Sequence, residues 1–405
     1  MRVLIGLHHV TLGGDTLNAV ELAGRLISRA HLVTLLAFTN PDGSDDDAPL
    51  IRLAHERGIP VRTFQRPRGM RTRMRVIREL RDYAHQQNFD VVHTYGHQDT
   101  YYAFVATYGL AGVPLVVNDY AMSVTEALPR RVPLIVGTRE VADQARRVRL
   151  GDVRLIEPPV DVELNAPGVV DSEPLRVKFG ISSSDILLVM VSRLVKTLKG
   201  EGLRSAIDAV RILSDPSVRL MLVGDGDARP DLADKAAKVN AELGREAVVS
   251  TGAMRDPRAA YEAADIVLGM GHSGLRGMAF AKPVVIVGEQ GFCLPVTREA
   301  LKHVDYAGVY GVGDGSDTGP LLAAALRPLI ADGDMRRSLG ELGRNVVRER
   351  YSLEGATDQL EAAYEAARRR RSWPAWLLDA GHIGRCYAPA KIRRIARPIL
   401  GHRGA

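Results

Sequence analysis

The stretch ILLVMVSRLVKTLKG, Ile186 to Gly200, decides the fold. Its first six residues are apolar without a break, too few to span a membrane and too continuous for a strand with one face in water. They predict a central strand of a parallel sheet. Ser192 and Arg193 close that strand, and a short loop leads into a helix opening at Lys199 and Gly200. In open α/β sheets ligands gather at the carboxyl ends of strands, where the next helix offers unpaired N–H groups and its positive dipole end. A guanidinium and an ammonium six residues apart across such a loop suit an anion, and a diphosphate is the natural guest. The alternative is a capped surface loop with a solvated lysine at the helix start.

With 405 residues, 46% of them apolar and 25% charged, the chain has the composition of a soluble globular protein with room for two cores. Cys293 and Cys386 lie far apart in sequence, which excludes a disulfide scaffold and gives no zinc-ligand spacing. A reducing, cytoplasmic setting is expected. The opening MRVLIGLHHVTLGG reads as a first strand rather than a signal peptide, and no run approaches the length of a transmembrane helix. A formal charge of +6 points to anionic partners without separating phosphates, nucleic acid and lipid headgroups.

Strands and helices alternate along the first half. Strands are predicted at Arg2–Leu7, His31–Phe38, Pro60–Thr63, Asp90–His93, Pro114–Asn118 and Val132–Gly137, with helices at Thr16–Ile27, Pro49–Arg57, Met70–Gln87 and Tyr101–Leu110. The second half repeats the scheme from Ile186 to Val287. Such alternation predicts doubly wound parallel sheets. Pro158, Pro159 and Pro167 make IEPPVDVELNAPG, residues 156–168, the expected connection between the halves. The expected organisation is two Rossmann-like domains, 1–165 and 166–352, facing a cleft. A helix over 353–370 would cross back to the first domain, ahead of a basic, Trp-containing tail over 371–405.

Several short motifs carry a resemblance. They are Gly13 and Gly14 after the first strand, PPVD ending at Asp161, SRL…KG with Arg193 and Lys199, LVGDGD from Leu222 to Asp227, AAD at Ala263–Asp265, and GMAFAKPVV from Gly277 to Val285. Their order and spacing resemble the retaining family 4 of GT-B glycosyltransferases, from Met1 to about Arg370. The resemblance implies a UDP- or GDP-linked sugar donor held by the C-terminal domain and a small-molecule or lipid-linked acceptor held by the N-terminal domain. It also implies that no metal or other cofactor is needed, because basic side chains neutralise the leaving diphosphate. Arg193 and Lys199 fall on those basic positions, with a spacing one residue longer than the family's usual form. Chemistry gives the same role to these side chains: preorganised cations stabilise charge as it develops on a departing diphosphate. Gly13 and Gly14 would let backbone approach a phosphate or acceptor at a helix start, or simply form a tight turn. Gly224, in GDGD, is expected in a strand-end turn at the donor site, with a structural role first.

Two departures from the family pattern stand out. The family's ribose-binding glutamate is replaced by Arg276 in GMGHSGLRGMAFAKPV, and the preceding glutamate is absent. Arginine donates hydrogen bonds and accepts none, so it cannot take that role, although it could hold a phosphate. The loop Gly271–Gly274 still suits phosphate, through backbone N–H groups and Ser273, with His272 as a further donor or a solvated residue. An altered coupling enzyme or a degenerate binding subunit are therefore the rival expectations. The second departure is VNDYA where the family commonly has a histidine. Asp119 is a candidate acid–base group there or a cap for the next segment. His97, after the fourth strand, is the second catalytic candidate; His8 and His9 are expected on the acceptor side.

Asp45, Asp46 and Asp47 resemble a metal-binding triplet but precede a helix, where acidic residues compensate the dipole, so no metal site is expected. Seven arginines lie between Arg66 and Arg81. The helix there sets Met70, Met74, Ile77 and Leu80 on one stripe, which fits either anionic lipid or a core-packed helix with a solvated basic face. The tail from Arg368 adds ten basic residues and two tryptophans, a composition that suits a membrane interface or a latch. No nucleic-acid reading motif occurs.

Overall fold

A computed structural model describes residues 1–387 apart from 8, 12, 41, 46, 47, 198 and 370–372. The described chain forms two compact units: Met1–Ile156 together with the described residues between Thr357 and Tyr387, and Glu157–Ala356. Residues 157–165 belong with the second unit.

The first unit runs β1 (Arg2–Leu7), α1 (Gly14–Ser28), β2 (Leu32–Thr39), α2 (Pro49–Glu56), β3 (Val61–Gln65), α3 (Met70–Gln87), β4 (Val91–Tyr95) and α4 (His97–Ala103). A π-helix (Phe104–Ala111) continues α4, and β5 (Leu115–Asp119), β6 (Leu134–Val136), α5 (Arg139–Val148) and β7 (Val153–Leu155) follow. All neighbouring strands are parallel, in the order β3-β2-β1-β4-β5-β6-β7. The helix expected at Tyr101–Leu110 begins earlier, at His97, because Gly96 supplies the turn out of β4. Its second half, FVATYGLA, is apolar nearly all round and its buried residues sit in the unit's main core. α5 and β7 were outside the sequence expectation. α5 buries only Val141, Ala142 and Ala145 among charged residues, too weak a stripe to read, and its Thr138 cap accepts from the Val141 N–H.

The second unit runs α6 (Glu173–Lys178), β8 (Ile186–Val191), α7 (Gly200–Leu213), β9 (Val218–Val223), α8 (Arg229–Leu243), β10 (Val248–Gly252) and α9 (Arg258–Ala263). It continues with β11 (Ile266–Gly269), α10 (His272–Ala279), β12 (Val284–Val287), β13 (Cys293–Pro295), α11 (Leu301–Ala307), α12 (Thr318–Ala331) and α13 (Gly333–Arg350). The order is β10-β9-β8-β11-β12-β13, parallel except for β13 at the edge. β8 is buried on both faces: Leu188 and Met190 enter one core, Leu187 and Val189 the other. That is why its sequence shows no polar alternation. Asp265, of the AAD motif, fixes β11 beside β8 by accepting the Leu187 N–H at 2.8 Å.

α14 (Leu353–Arg369) and α15 (Trp373–Tyr387) complete the described chain. Within the first unit, Glu361 of α14 pairs with Arg29 and His31, and Tyr364 bonds His93. In the second unit the connector is pinned: the Val160 N–H donates to the Tyr351 carbonyl, the Leu353 N–H to that of Val160, and Asp161 caps the turn that follows. No helix among the described residues is long and apolar enough to cross a membrane.

Candidate functional site

In the second sheet the strand order reverses between β8 and β11, the point where open α/β sheets take ligands. Arg193 lies exposed on the loop leaving β8, and Lys199 stands at the N-terminus of α7. Burial, and then the nearby Arg193 guanidinium, hold the Lys199 ammonium below the ordinary lysine value. No carboxylate opposes that shift, and neither cation is in an ion pair among the described residues. The loop leaving β11 brings α10 to the same place. Burial drives the His272 imidazole well below its usual value, and the Arg276 and Lys199 charges push it further, so His272 is neutral. Three cations and a neutral imidazole thus share one strand-end site.

Not every predicted contact there is free to meet a ligand. The Ser273 hydroxyl donates to the Met270 carbonyl at 2.9 Å, leaving its oxygen only as an acceptor. Gly274 is a packing position, since a Cβ there would lie 2.6 Å from Val309 Cγ1. A forked bond from Arg258 holds the Asp256 carboxyl below the usual carboxylate value, with Arg276 adding a smaller contribution. Gly224 adopts φ +145, and its backbone lies directly against the Ser192 carbonyl. The Asp225 carbonyl accepts the Leu194 N–H, so the GDGD turn braces the loop that presents Arg193. Glu201, unremarked in the sequence, accepts from the N–H groups of Gln290 and Gly291 and from the Thr318 hydroxyl, fixing the loop after β12 beside α7. A carboxylate in the first turn of a helix was the available signal.

A bound anion favours the ammonium form of Lys199, so affinity for a nucleoside diphosphate is expected to fall as pH rises through its lowered value. Titrations below the ordinary lysine value of about 10.4 check this, and Lys199→Arg is expected to flatten the dependence.

In the first sheet the order reverses between β1 and β4. Gly13 precedes α1 in extended conformation with its N–H on the Thr16 hydroxyl, and the Gly14 carbonyl accepts from the Asn18 amide. His9 lies 3.7 Å from Asp15 in the first turn of α1; His8 lies outside the described residues. His97 opens α4 and Asp119 ends β5. The two are brought within electrostatic reach: burial raises the Asp119 carboxyl, while the Ala121 and Thr125 backbone N–H groups, and then His97 and Arg149, oppose that rise. The cap expected of Asp119 is present. Oδ1 caps the Ala121 N–H at 3.1 Å, whereas Oδ2 is buried without a hydrogen-bond partner. Asp45 accepts the Asn40 N–H, and Asp46 and Asp47 lie outside the described residues.

The sequence did not single out Asp99. It is fully buried, accepts the Tyr95 N–H at 2.9 Å, lies beneath Gly6 of β1, and is pushed up to about 8 chiefly by burial. Its folded value exceeds the unfolded one of about 3.9, so the native state binds the extra proton between the two. Stability is therefore expected to fall as pH rises from about 4 to about 8. Asp99→Asn should remove that slope in urea melts across the range.

Two parallel-sheet units, each with its polar groups at the strand-order reversal, define the GT-B class of glycosyltransferases. A glycosyltransferase from Rickettsia africae superposes with a TM-score of 0.73 at 14% identity, covering 92% of this chain and 99% of that one. HepE of Anabaena, solved in complex with UDP, gives 0.69 at 18% identity over 90% and 100%. The N-acetyl-alpha-D-glucosaminyl L-malate synthase of Bacillus anthracis is 21% identical over 384 residues, 90% of this chain and 97% of that protein. The model of a glycosyl transferase 4-like domain matches residues 13–151, and that of glycosyl transferases group 1 matches residues 185–304. The chain belongs to this glycosyltransferase family and is a transferase enzyme.

Proposed function

We propose that the enzyme transfers a sugar from a nucleoside diphosphate, UDP- or GDP-linked, to an acceptor hydroxyl with retention at the anomeric carbon. The observation that carries this is the half-buried Lys199 ammonium at the N-terminus of α7, beside Arg193 and without a carboxylate partner, at the β8/β11 reversal. In the reaction the bond from the anomeric carbon to the diphosphate breaks, with its electron pair leaving on the phosphate oxygen. The acceptor oxygen bonds the same carbon and passes its proton to the leaving phosphate oxygen, so the products are the glycoside and the nucleoside diphosphate. Lys199, Arg193 and the backbone N–H groups opening α10 would receive the departing charge, and Arg276 would hold a phosphate oxygen rather than ribose hydroxyls. Asp119 with His97 on the first unit would serve the acceptor side. The UDP complex of HepE supports a uridine diphosphate.

Side-chain cations do the work a metal would do, so turnover should be unchanged by EDTA. A thermal-shift panel tests the donor. UDP or GDP should stabilise strongly, and by more than sugar phosphates alone. Stabilisation by sugar phosphates without a nucleotide would instead favour an altered coupling enzyme, the reading that Arg276 in place of a ribose acceptor supports. Acceptor screening begins with L-malate, named for the Bacillus anthracis relative, and NMR of the product's anomeric proton decides retention.

A further inference from the structure

α3 does not use its apolar stripe as a core helix would. Ile77 and Leu80 enter the core of the first unit, but Met70 and Met74, two turns and one turn earlier, are 68% and 43% exposed. Arg71, Arg75 and Arg78 stand exposed on the same helix, and none is in an ion pair among the described residues. A helix that needed only water on this face would carry polar residues at 70 and 74.

Exposed apolar residues also stand on the elements packed beside α3. The steps β3 to β4 and β4 to β5 run in one direction across the sheet, so right-handed crossovers place α3 and the π-helix on the same face. α15 joins that layer: Trp376 packs on Phe104 with ring centroids 6.3 Å apart and covers Gly109, where a Cβ would fall 2.2 Å from its indole nitrogen. Asp379, almost wholly buried, fastens the helix through the Arg131 N–H and guanidinium. Docked in this way, α15 turns Leu377 and Leu378 outward at 56% and 62% exposure, and the π-helix exposes Leu110 at 50%.

We propose that this layer, α3, the π-helix and α15, is a membrane-docking face that inserts Met70, Met74, Leu110, Leu377 and Leu378 into the interface of an anionic bilayer. Charge complementarity selects the occupant. The exposed arginines of α3 stand beside the methionines and outnumber the exposed acids of that helix, Glu79 and the Arg81-paired Asp82, and the π-helix carries no charged residue. Long, adaptable methionines and leucines beside guanidinium groups match the apolar boundary and phosphate layer of lipid headgroups.

The test is co-sedimentation of the full chain with phosphatidylcholine vesicles, with and without phosphatidylglycerol. Binding is expected only to the anionic vesicles, and to weaken in high salt. Replacing Arg71, Arg75 and Arg78 together by glutamine should weaken it by about a hundredfold, on the order of fivefold per arginine. Met70→Ser with Met74→Ser, and separately Leu377→Ser with Leu378→Ser, should each weaken it by about tenfold or more with the charges intact. Unchanged stabilisation by UDP would show that each variant is folded, and keeps this outcome separate from the donor assignment. Wild-type binding retained in all three variants would overturn the proposal by assigning the lipid contact elsewhere. Failure to bind anionic vesicles would also overturn it, as would a concentration-dependent dimer abolished by the same substitutions.

Discussion

Replacing Lys199 with methionine is expected to lower glycosyl transfer by a hundredfold to a thousandfold, on the order of what losing one preorganised donor to a developing anion costs, while leaving the unliganded protein as stable or more so. The two halves of this expectation have one cause. The ammonium is half-buried, Arg193 adds repulsion, and no carboxylate offsets either. A charge kept in such a place costs folding free energy, so its removal relieves the apo protein. With the diphosphate present the balance reverses, because the anion supplies the missing countercharge. A structural lysine would behave in the opposite way, losing stability with little effect on turnover. Arg193→Ala is expected to act in the same direction but more weakly, since that side chain is exposed and partly screened by water. Release of nucleoside diphosphate at saturating donor, together with a thermal melt of the unliganded variant, reads both quantities.

Gly224→Ala is expected to be the most destabilising single-methyl change near the site. Glycine at φ +145 has a conformation that side chains rarely adopt, and a Cβ there would fall 1.8 Å from the Ser192 carbonyl oxygen. The contact is with backbone, so no rotamer change can relieve it. A cost of about 3 kcal/mol or more follows from strain plus displacement of the loop. In a unit of this size that lowers the melting temperature by roughly 6–12 °C. The displaced segment carries Arg193, so nucleotide affinity should fall as well. Gly244→Ala is the control, with φ +63 and nothing within 4 Å; it should cost about 1 kcal/mol and leave nucleotide binding alone.

Much of the fold was legible because its elements are locally consistent. Ile186–Val191 is apolar on both faces and is a central strand, and Arg2–Leu7 and Met70–Gln87 have the limits their patterns suggest. Two of the elements that escaped have thin or partial burial, whereas the well-buried α12 lies beyond the last strand the pattern was followed to. β7 has all three residues half-buried, and β13 is a three-residue antiparallel edge. That Arg193 and Lys199 lie close together could be read because strand, loop and helix start fall within one short stretch. Asp99 could not, since the helix that carries it packs it under Gly6, a residue of the distant strand β1. His93 is a similar case: its partner Tyr364 lies 271 residues away. The stripe on α3 gave the right helix and only half of the right neighbours. Periodicity shows which residues share a face, whereas the length of the covering layer decides how many of them are buried.

The central claim is that the cations at the β8/β11 reversal receive a diphosphate. Calorimetric titration of UDP, UMP and uridine into the wild-type enzyme and into Lys199→Met tests it most directly. The expected result is a stepwise fall in affinity as phosphates are removed from the ligand, with the step from UDP to UMP largely erased in the variant. Equal affinity for the three ligands, or a variant that keeps the full preference for UDP, would contradict it.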